Sequence, residues 1–145
     1  MHRQIDWEER IVRYLEPLRA RPYEWAKNDC CTFAAGAVEA MTGVDPMAEF
    51  RGRYATARGA VRAIRRIGAG TLPATLDAKF RRIEAALAQR GDVVWIDDGS
   101  ALGSLGLCWG PAMIAVGQQD ERVGLIQVPR ALWRDPIGWR VEYAA

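Results

Sequence analysis

Apolar residues in the first half of the chain recur at the three- and four-residue spacing that is typical of amphipathic helices. This spacing predicts a first helix over residues 7–18, with Asp6 as its N-cap. A later helix is predicted over residues 57–67, behind Thr56, and a short one over residues 73–80. The first half of the chain is therefore expected to be mainly helical.

The segment Cys30–Thr42 differs from these helices because it is apolar nearly all round. Asn28 and Asp29 precede it and are both good N-cap types, and Gly43 follows it as a typical helix-ending residue. These signals predict a helix over the whole segment. A helix this apolar is expected at the centre of its domain rather than on the surface.

After Arg90-Gly91-Asp92 the pattern changes to short apolar runs separated by turn residues. These runs predict a small antiparallel sheet that curls on itself, and helices followed by strands give an α+β fold. The predicted strands cover residues 93–96, 105–109, 112–116, 123–128 and 139–143. We expect one domain over residues 1–145, with a helical half at about 6–88 and a sheet half at about 91–145.

Composition narrows the functional classes. The chain has 145 residues, of which 50% are hydrophobic, as expected for a domain with one core. A net charge of +2 gives no indication of nucleic-acid binding. No apolar run reaches the ~18–20 residues of a membrane helix, so no membrane segment is expected. The N-terminus has no apolar signal-peptide region, so we expect synthesis in the cytoplasm.

Arginines are concentrated between the second and third predicted helices and along the third. A solvated helix face is the first interpretation, and a patch that binds acidic protein surfaces or phosphates is the second. The cluster comprises Arg51, Arg53, Arg58, Arg62, Arg65 and Arg66.

Within this stretch, Arg51, Arg53 and Tyr54 lie on a connector and are polar or aromatic without an evident core role. They are the candidates for a protein contact surface. An internal salt bridge from either arginine is the alternative.

The cysteine and histidine content argues against metals and disulfides. Three cysteines, Cys30, Cys31 and Cys108, are an odd number for a disulfide framework, and Cys108 is expected in the core. The single histidine, His2, leaves too few ligands for a zinc site and is expected on a loose N-terminus. No metal and no cofactor are expected.

Cys30 is the residue with the clearest chemical potential. The N-terminus of a helix carries partial positive charge and free N–H groups, which favour a thiolate and hence a nucleophile. The alternative is that Cys30 and Cys31 are small apolar residues in a tight helix start. Asp29 is expected to be a helix cap rather than an acid–base group.

The order of three motifs resembles that of NlpC-type cell-wall peptidases, which have a papain-like fold. The first motif is Asp29-Cys30 at the helix start. The second, residues 90–95, leads into the first predicted strand, and the third, residues 104–110, includes the second predicted strand. The chain is more closely similar to a poorly characterised family of phage and prophage proteins encoded among tail genes. That resemblance rests on residues 28–30, 42–46, 50–54, 59–60, 90–94, 105–107 and 139–141.

One position departs from the peptidase pattern. Where the resemblance implies a catalytic histidine, this chain has Ser104, and a serine hydroxyl has no useful basicity near neutral pH. The leading hypothesis is therefore a non-catalytic component, or assembly factor, of a phage tail tip or hub. Such a protein would be located in the virion tail and have other tail proteins as partners.

Two other hypotheses remain open at this point. One is a peptidoglycan-cutting cysteine amidase or endopeptidase for genome delivery, with Cys30 as nucleophile and a base from a partner chain. The other is a host-interaction protein that binds through the arginine cluster.

Overall fold

The computed structural model describes residues 1–117 and 123–144. The predicted domain over residues 1–145 therefore includes residues 118–122 and 145, which lie outside the described part. Among the described residues, the α-helices are α1 Trp7–Leu15, α2 Cys30–Thr42, α3 Ala57–Arg66 and α4 Leu72–Asp77. Short 3-10 turns cover Glu16–Leu18, Ala48–Phe50, Ala85–Leu87 and Arg130–Leu132. No helix in the described ranges is both long and apolar enough to cross a membrane.

The strands form one antiparallel sheet in the order β1-β6-β2-β3-β4-β5. They are β1 Arg81–Ile83, β2 Val93–Ile96, β3 Ser104–Cys108, β4 Ala112–Gly117, β5 Gly124–Pro129 and β6 Ile137–Arg140. Helices followed by an antiparallel sheet confirm the predicted α+β class. The predicted helical half was too long, because it included β1 at the sheet edge, where Arg82 pairs with Trp139.

The central helix α2 has the bounds that the sequence predicts. Asp29 accepts a hydrogen bond from the backbone N–H of Thr32 at 2.8 Å, and Thr32 Oγ1 accepts one from the N–H of Asp29, also at 2.8 Å. This capping box satisfies two of the free donors at the helix start. At the other end Gly43 adopts a φ of 83°, the left-handed conformation that glycine allows without strain.

The first helix begins at the predicted residue, Trp7, but it is shorter than predicted. The α-helix ends at Leu15, and a 3-10 turn continues to Leu18, because Pro17 has no N–H to donate to an α-helical bond. Asp6 lies at the predicted N-cap position, but its side chain makes no capping hydrogen bond. Its carboxylate instead accepts a hydrogen bond from Arg10 Nε at 2.7 Å.

Helix α2 lies between α1 and the sheet. Gly36 lets α1 approach closely, because a side chain there would overlap the Tyr14 ring, whose hydroxyl donates to the Phe33 carbonyl at 2.9 Å. The main core joins α2 to the inner sheet face. Its largest fully buried side chains are Ile11, Phe33, Val38, Met41, Val93, Leu107, Trp139 and Val141. A smaller cluster covers the opposite face of the sheet around Val94, Cys108, Met113 and Ala115.

The N-terminus is anchored to this core, and the prediction of a loose N-terminus is wrong. The Arg3 guanidinium lies 4.4 Å from the Trp7 ring and 4.3 Å from the Tyr143 ring, and its Nη2 donates to Asp92 at 2.9 Å. Asp92 is fully buried and also accepts from Arg140 Nε at 3.0 Å. Asp92 therefore joins the two chain ends to the turn before β2.

Candidate functional site

A cleft of about 570 Å³ opens at the N-terminal end of α2. Three segments form its walls: the loop before α2, the outer face of α3, and the segment that leads into β3. The cleft is lined by Tyr23, Trp25, Cys30, Ala57, Arg58, Val61, Arg62, Arg65, Asp98, Ser100, Ala101, Leu102, Gly103 and Ser104.

Cys30 lies at the first position of α2 and borders this cleft, although its side chain is 5% exposed. Its Sγ is 3.9 Å from the Sγ of Cys31. Cys31 faces the other way, into an apolar cavity of about 70 Å³ between α2, α3 and α4. The contact with the Cys30 sulfur, and then burial, raise the pKa of the Cys31 thiol well above its usual value of 9.0.

The structure brings Ser104 to the same cleft as Cys30. Ser104 is the first residue of β3 and is half-buried. No imidazole borders the cleft among the described residues, because the single histidine, His2, is exposed and is not part of the lining. The cleft therefore holds a thiol and a hydroxyl where a papain-like enzyme would need a thiol and a base.

The helix cap beneath the cleft is a buried carboxylate with several donors. Asp29 is fully buried, and its Oδ2 accepts from the Tyr54 hydroxyl at 2.6 Å and from the Ala26 N–H at 2.8 Å. Burial, followed by the hydrogen bond to Asp29, raises the pKa of Tyr54 above its usual 10.0. The carboxylate thus fixes the start of α2 to the preceding loop and to the connector before α3.

The other residues of the predicted contact surface have different environments. Arg51 makes a two-point ion pair with Asp45, at 2.9 Å from Nε and 3.3 Å from Nη2, which is the internal salt bridge that the sequence left open. Arg53 is exposed and has no ion pair among the described residues. The structure does not place Arg51, Arg53 or Tyr54 in the cleft lining, and their role as a contact surface stays a prediction.

Half of the arginine cluster borders the cleft. Arg58, Arg62 and Arg65 are exposed side chains of α3 at i, i+4 and i+7, which lie on one face of a helix. None of the three pairs with an acidic side chain in the part of the chain that the structure describes. The sequence showed this spacing, but nothing local in it indicated that the face would border Cys30.

The loop wall of the cleft is aromatic, and sequence analysis assigned it no role. Tyr23 and Trp25 meet edge to face with ring centroids 5.2 Å apart. The buried Asn28 side chain holds their loop by donating to the carbonyls of Arg21 and Pro22 at 3.2 and 2.9 Å. Burial is the largest cause that raises the pKa of Tyr23 above its usual 10.0.

The opposite rim carries one carboxylate, and no metal site is evident. Asp98 Oδ1 accepts from the Ser100 N–H at 2.9 Å and from the Ser100 hydroxyl at 2.6 Å. Across residues 1–117 and 123–144, no group of three histidine, cysteine or acidic side chains could hold a metal ion. The chemistry that the cleft offers is therefore recognition by polar and cationic side chains next to a buried thiol, that of Cys30.

Comparison with solved structures shows an NlpC/p60 fold. The NlpC/p60 domain of the peptidoglycan hydrolase SagA is similar at a TM-score of 0.57 and 17% identity, covering 91% of this chain and 97% of that one. RipD from Mycobacterium tuberculosis has a TM-score of 0.55 and 14% identity, covering 95% and 99%. RipD is described as a non-catalytic NlpC/p60 domain protein adapted to a peptidoglycan-binding function.

A third similar structure is a larger protein. It is a lipoprotein-like member of the NLP/P60 family from Staphylococcus aureus subsp. aureus Mu50, with a TM-score of 0.56 and 14% identity. The alignment covers 99% of this chain but only 44% of that protein. At these identities the likeness shows the fold alone.

Sequence comparison gives the family. No curated protein sequence matches the chain. One family profile, described as a domain of unknown function (DUF6950), matches residues 2–141, which include both halves of the fold and every cleft residue. The chain therefore belongs to the DUF6950 family, with an NlpC/p60 fold.

Proposed function

We propose that this protein is a non-catalytic binding module on an NlpC/p60 fold, and that it serves as a structural or assembly component of a phage tail tip or hub. One observation carries the first part: Ser104, rather than a histidine, borders the cleft with Cys30. Loss of a general base typically costs about 10²–10⁴-fold in rate, and a hydroxyl does not replace it.

The neighbouring groups do not supply the missing base. The pKa of the Cys31 thiol is raised, so this thiol is protonated at neutral pH. Asp98 is held by two hydrogen bonds from Ser100 on the opposite rim. The fold is retained while the described cleft residues include no imidazole, which favours recognition over turnover.

The tail location is supported by the order of sequence motifs that this chain has in common with proteins encoded among phage tail genes. On this proposal the protein is made in the host cytoplasm, is present in the virion tail, and contacts other tail proteins. Mass spectrometry of purified virions is expected to detect it. Its absence from virions, together with no affinity for any tail protein, would contradict the tail role.

The catalytic question has a direct test in peptidoglycan digestion. Wild-type protein and the Cys30→Ser variant are both expected to release no soluble fragments from purified sacculi. The Ser104→His variant restores an imidazole to the cleft, and any release it gains should disappear in the double variant with Cys30→Ser. The non-catalytic proposal would be overturned if the wild-type protein released soluble fragments and the Cys30→Ser variant did not.

A second candidate is the cysteine amidase or endopeptidase, since Cys30 occupies the first turn of α2 and borders an open cleft. It requires a base from a partner chain. Rapid alkylation of Cys30 at pH 6–7, with fragment release only when tail proteins are added, would favour it. Binding of intact peptidoglycan without release would instead favour a role such as the one described for RipD.

A further inference from the structure

We propose that the cleft beside Cys30 binds an extended, acidic peptide segment of a partner protein, with Arg58, Arg62 and Arg65 as the residues that recognise its carboxylates. This inference rests on the proposed function as a binding module, and it names the chemistry of the partner. It is argued from the charge, spacing and walls of the cleft.

The charge of the cleft is unbalanced. Three exposed arginines border it, and none has an acidic partner among the described residues, whereas Arg10, Arg51 and Arg82 elsewhere are paired at 2.7–2.9 Å. The only carboxylate that borders the described cleft is Asp98, which already accepts two hydrogen bonds from Ser100. The site therefore offers a net positive wall to an anionic ligand.

The spacing of the arginines suits an extended chain. At ~1.5 Å per residue, Arg58 and Arg62 are separated by about 6 Å along the axis of α3, and Arg58 and Arg65 by about 10.5 Å. Alternate side chains of an extended peptide are about 6.6 Å apart on one face. Two carboxylates at alternate positions would therefore match Arg58 and Arg62, and a third would lie towards Arg65. A guanidinium group binds a carboxylate with two parallel hydrogen bonds.

The opposite wall provides an apolar surface for the rest of such a peptide. Tyr23 and Trp25 form a rigid aromatic pair on a loop that Asn28 and Asp29 hold in place. Val61, which precedes Arg62 on α3, adds a further apolar side chain to the cleft lining. A peptide that alternates acidic and apolar side chains would place one set on α3 and the other on the aromatic wall.

A bound protein segment fits these features better than a cell-wall peptide that the protein would cleave. The arginine row extends about 10.5 Å along the helix, so a ligand that meets all three arginines must present several carboxylates over a similar length. In addition, no imidazole borders the cleft among the described residues, so cleavage of what it binds is not favoured. Peptidoglycan fragments, which also carry carboxylates, are therefore the competing ligand in the test.

Fluorescence anisotropy with purified full-length protein provides that test. The probe is an end-blocked, fluorescein-labelled octapeptide with glutamate at alternate positions and leucine and threonine between them, and its glutamine counterpart is the neutral control. We expect binding of the acidic peptide that weakens as salt rises from 20 to 300 mM, and none of the neutral peptide. Arg62→Gln is expected to lower the affinity about fivefold, within the range of single exposed charge pairs.

Arg66→Gln is the matched control, because Arg66 is exposed on the same helix but does not border the cleft. It removes the same charge and should leave the affinity within about twofold. Equal losses in the two variants, no binding at 20 mM salt, or tighter binding of a soluble peptidoglycan stem peptide would each overturn the proposal. None of these outcomes requires catalysis, so the sacculus assay still decides separately whether the fold is catalytic.

Discussion

The two adjacent cysteines at the start of α2 have different environments. Consecutive residues of a helix point about 100° apart, so Cys30 borders the cleft while Cys31 borders the apolar cavity. Their sulfur atoms nevertheless remain 3.9 Å apart. This contact and burial favour the neutral thiol of Cys31, so its titration is expected to affect the stability of the fold.

The pH dependence of unfolding is expected to show this effect. A raised pKa in the folded state stabilises the protein fully below the usual value of 9.0, and this contribution is lost as pH rises above it. Between pH 8 and pH 10 the wild-type free energy of unfolding should fall by about 1 kcal/mol more than that of Cys31→Ser, which has no thiol to titrate at this position. Urea unfolding at several pH values measures the difference, and parallel curves for the two proteins would contradict it.

At the scale of elements, local signals were enough to predict α2 but not the edge strand β1 or the cleft. Asp29 and Gly43 are residue types whose side chain or backbone ends a helix, so both ends of α2 could be read from the sequence. Strand β1 has only three residues, and it forms because Arg82 lies opposite Trp139 of β6, which is distant in sequence. The packing of α3 beside Cys30 is likewise a tertiary contact. The spacing of the arginines could therefore be seen in the sequence, but their position next to the cleft could not be predicted from it.

The start of α2 is expected to be the most sensitive helix end in the molecule. Asp29→Ala removes the cap and leaves the Tyr54 hydroxyl and the Ala26 N–H without their acceptor, so we expect a loss of about 2–4 kcal/mol in unfolding free energy. Thr56→Ala removes only the cap of α3, where Oγ1 accepts from the Gly59 N–H at 3.0 Å, and should cost about 1 kcal/mol. Urea denaturation compares the two, and an equal cost would show that the extra contacts of Asp29 contribute nothing.

At the scale of the whole molecule, the ion pairs of Asp92 with Arg3 and with Arg140 join three segments that are distant in sequence. Arg3 and Asp92 are separated by 89 positions in sequence. Because the chain contains 20 lysines and arginines and 18 acidic residues, the sequence alone could not predict that these two would pair. The sequence did show that the pattern changes at Gly91 and Asp92, directly before β2. It could not show that Gly91, with a φ of 95°, leaves room for the Arg3 guanidinium at this turn.

Asp92 is therefore expected to matter more for stability than any exposed ion pair. Asp92→Asn keeps the shape but leaves the buried Arg3 facing a neutral group and deprives Arg140 of its partner, for which the expected cost is about 3–5 kcal/mol. Glu142→Gln breaks the exposed pair with Arg81 at 3.0 Å and is expected to cost less than about 1 kcal/mol. Both variants lose one negative charge, so a difference between them in urea unfolding at pH 7 reports the burial of the ion pair and not the change in net charge. If Asp92→Asn cost no more than Glu142→Gln, the network would not hold the two chain ends to the sheet, and the anchoring of Arg3 would rest on Trp7 and Tyr143 alone.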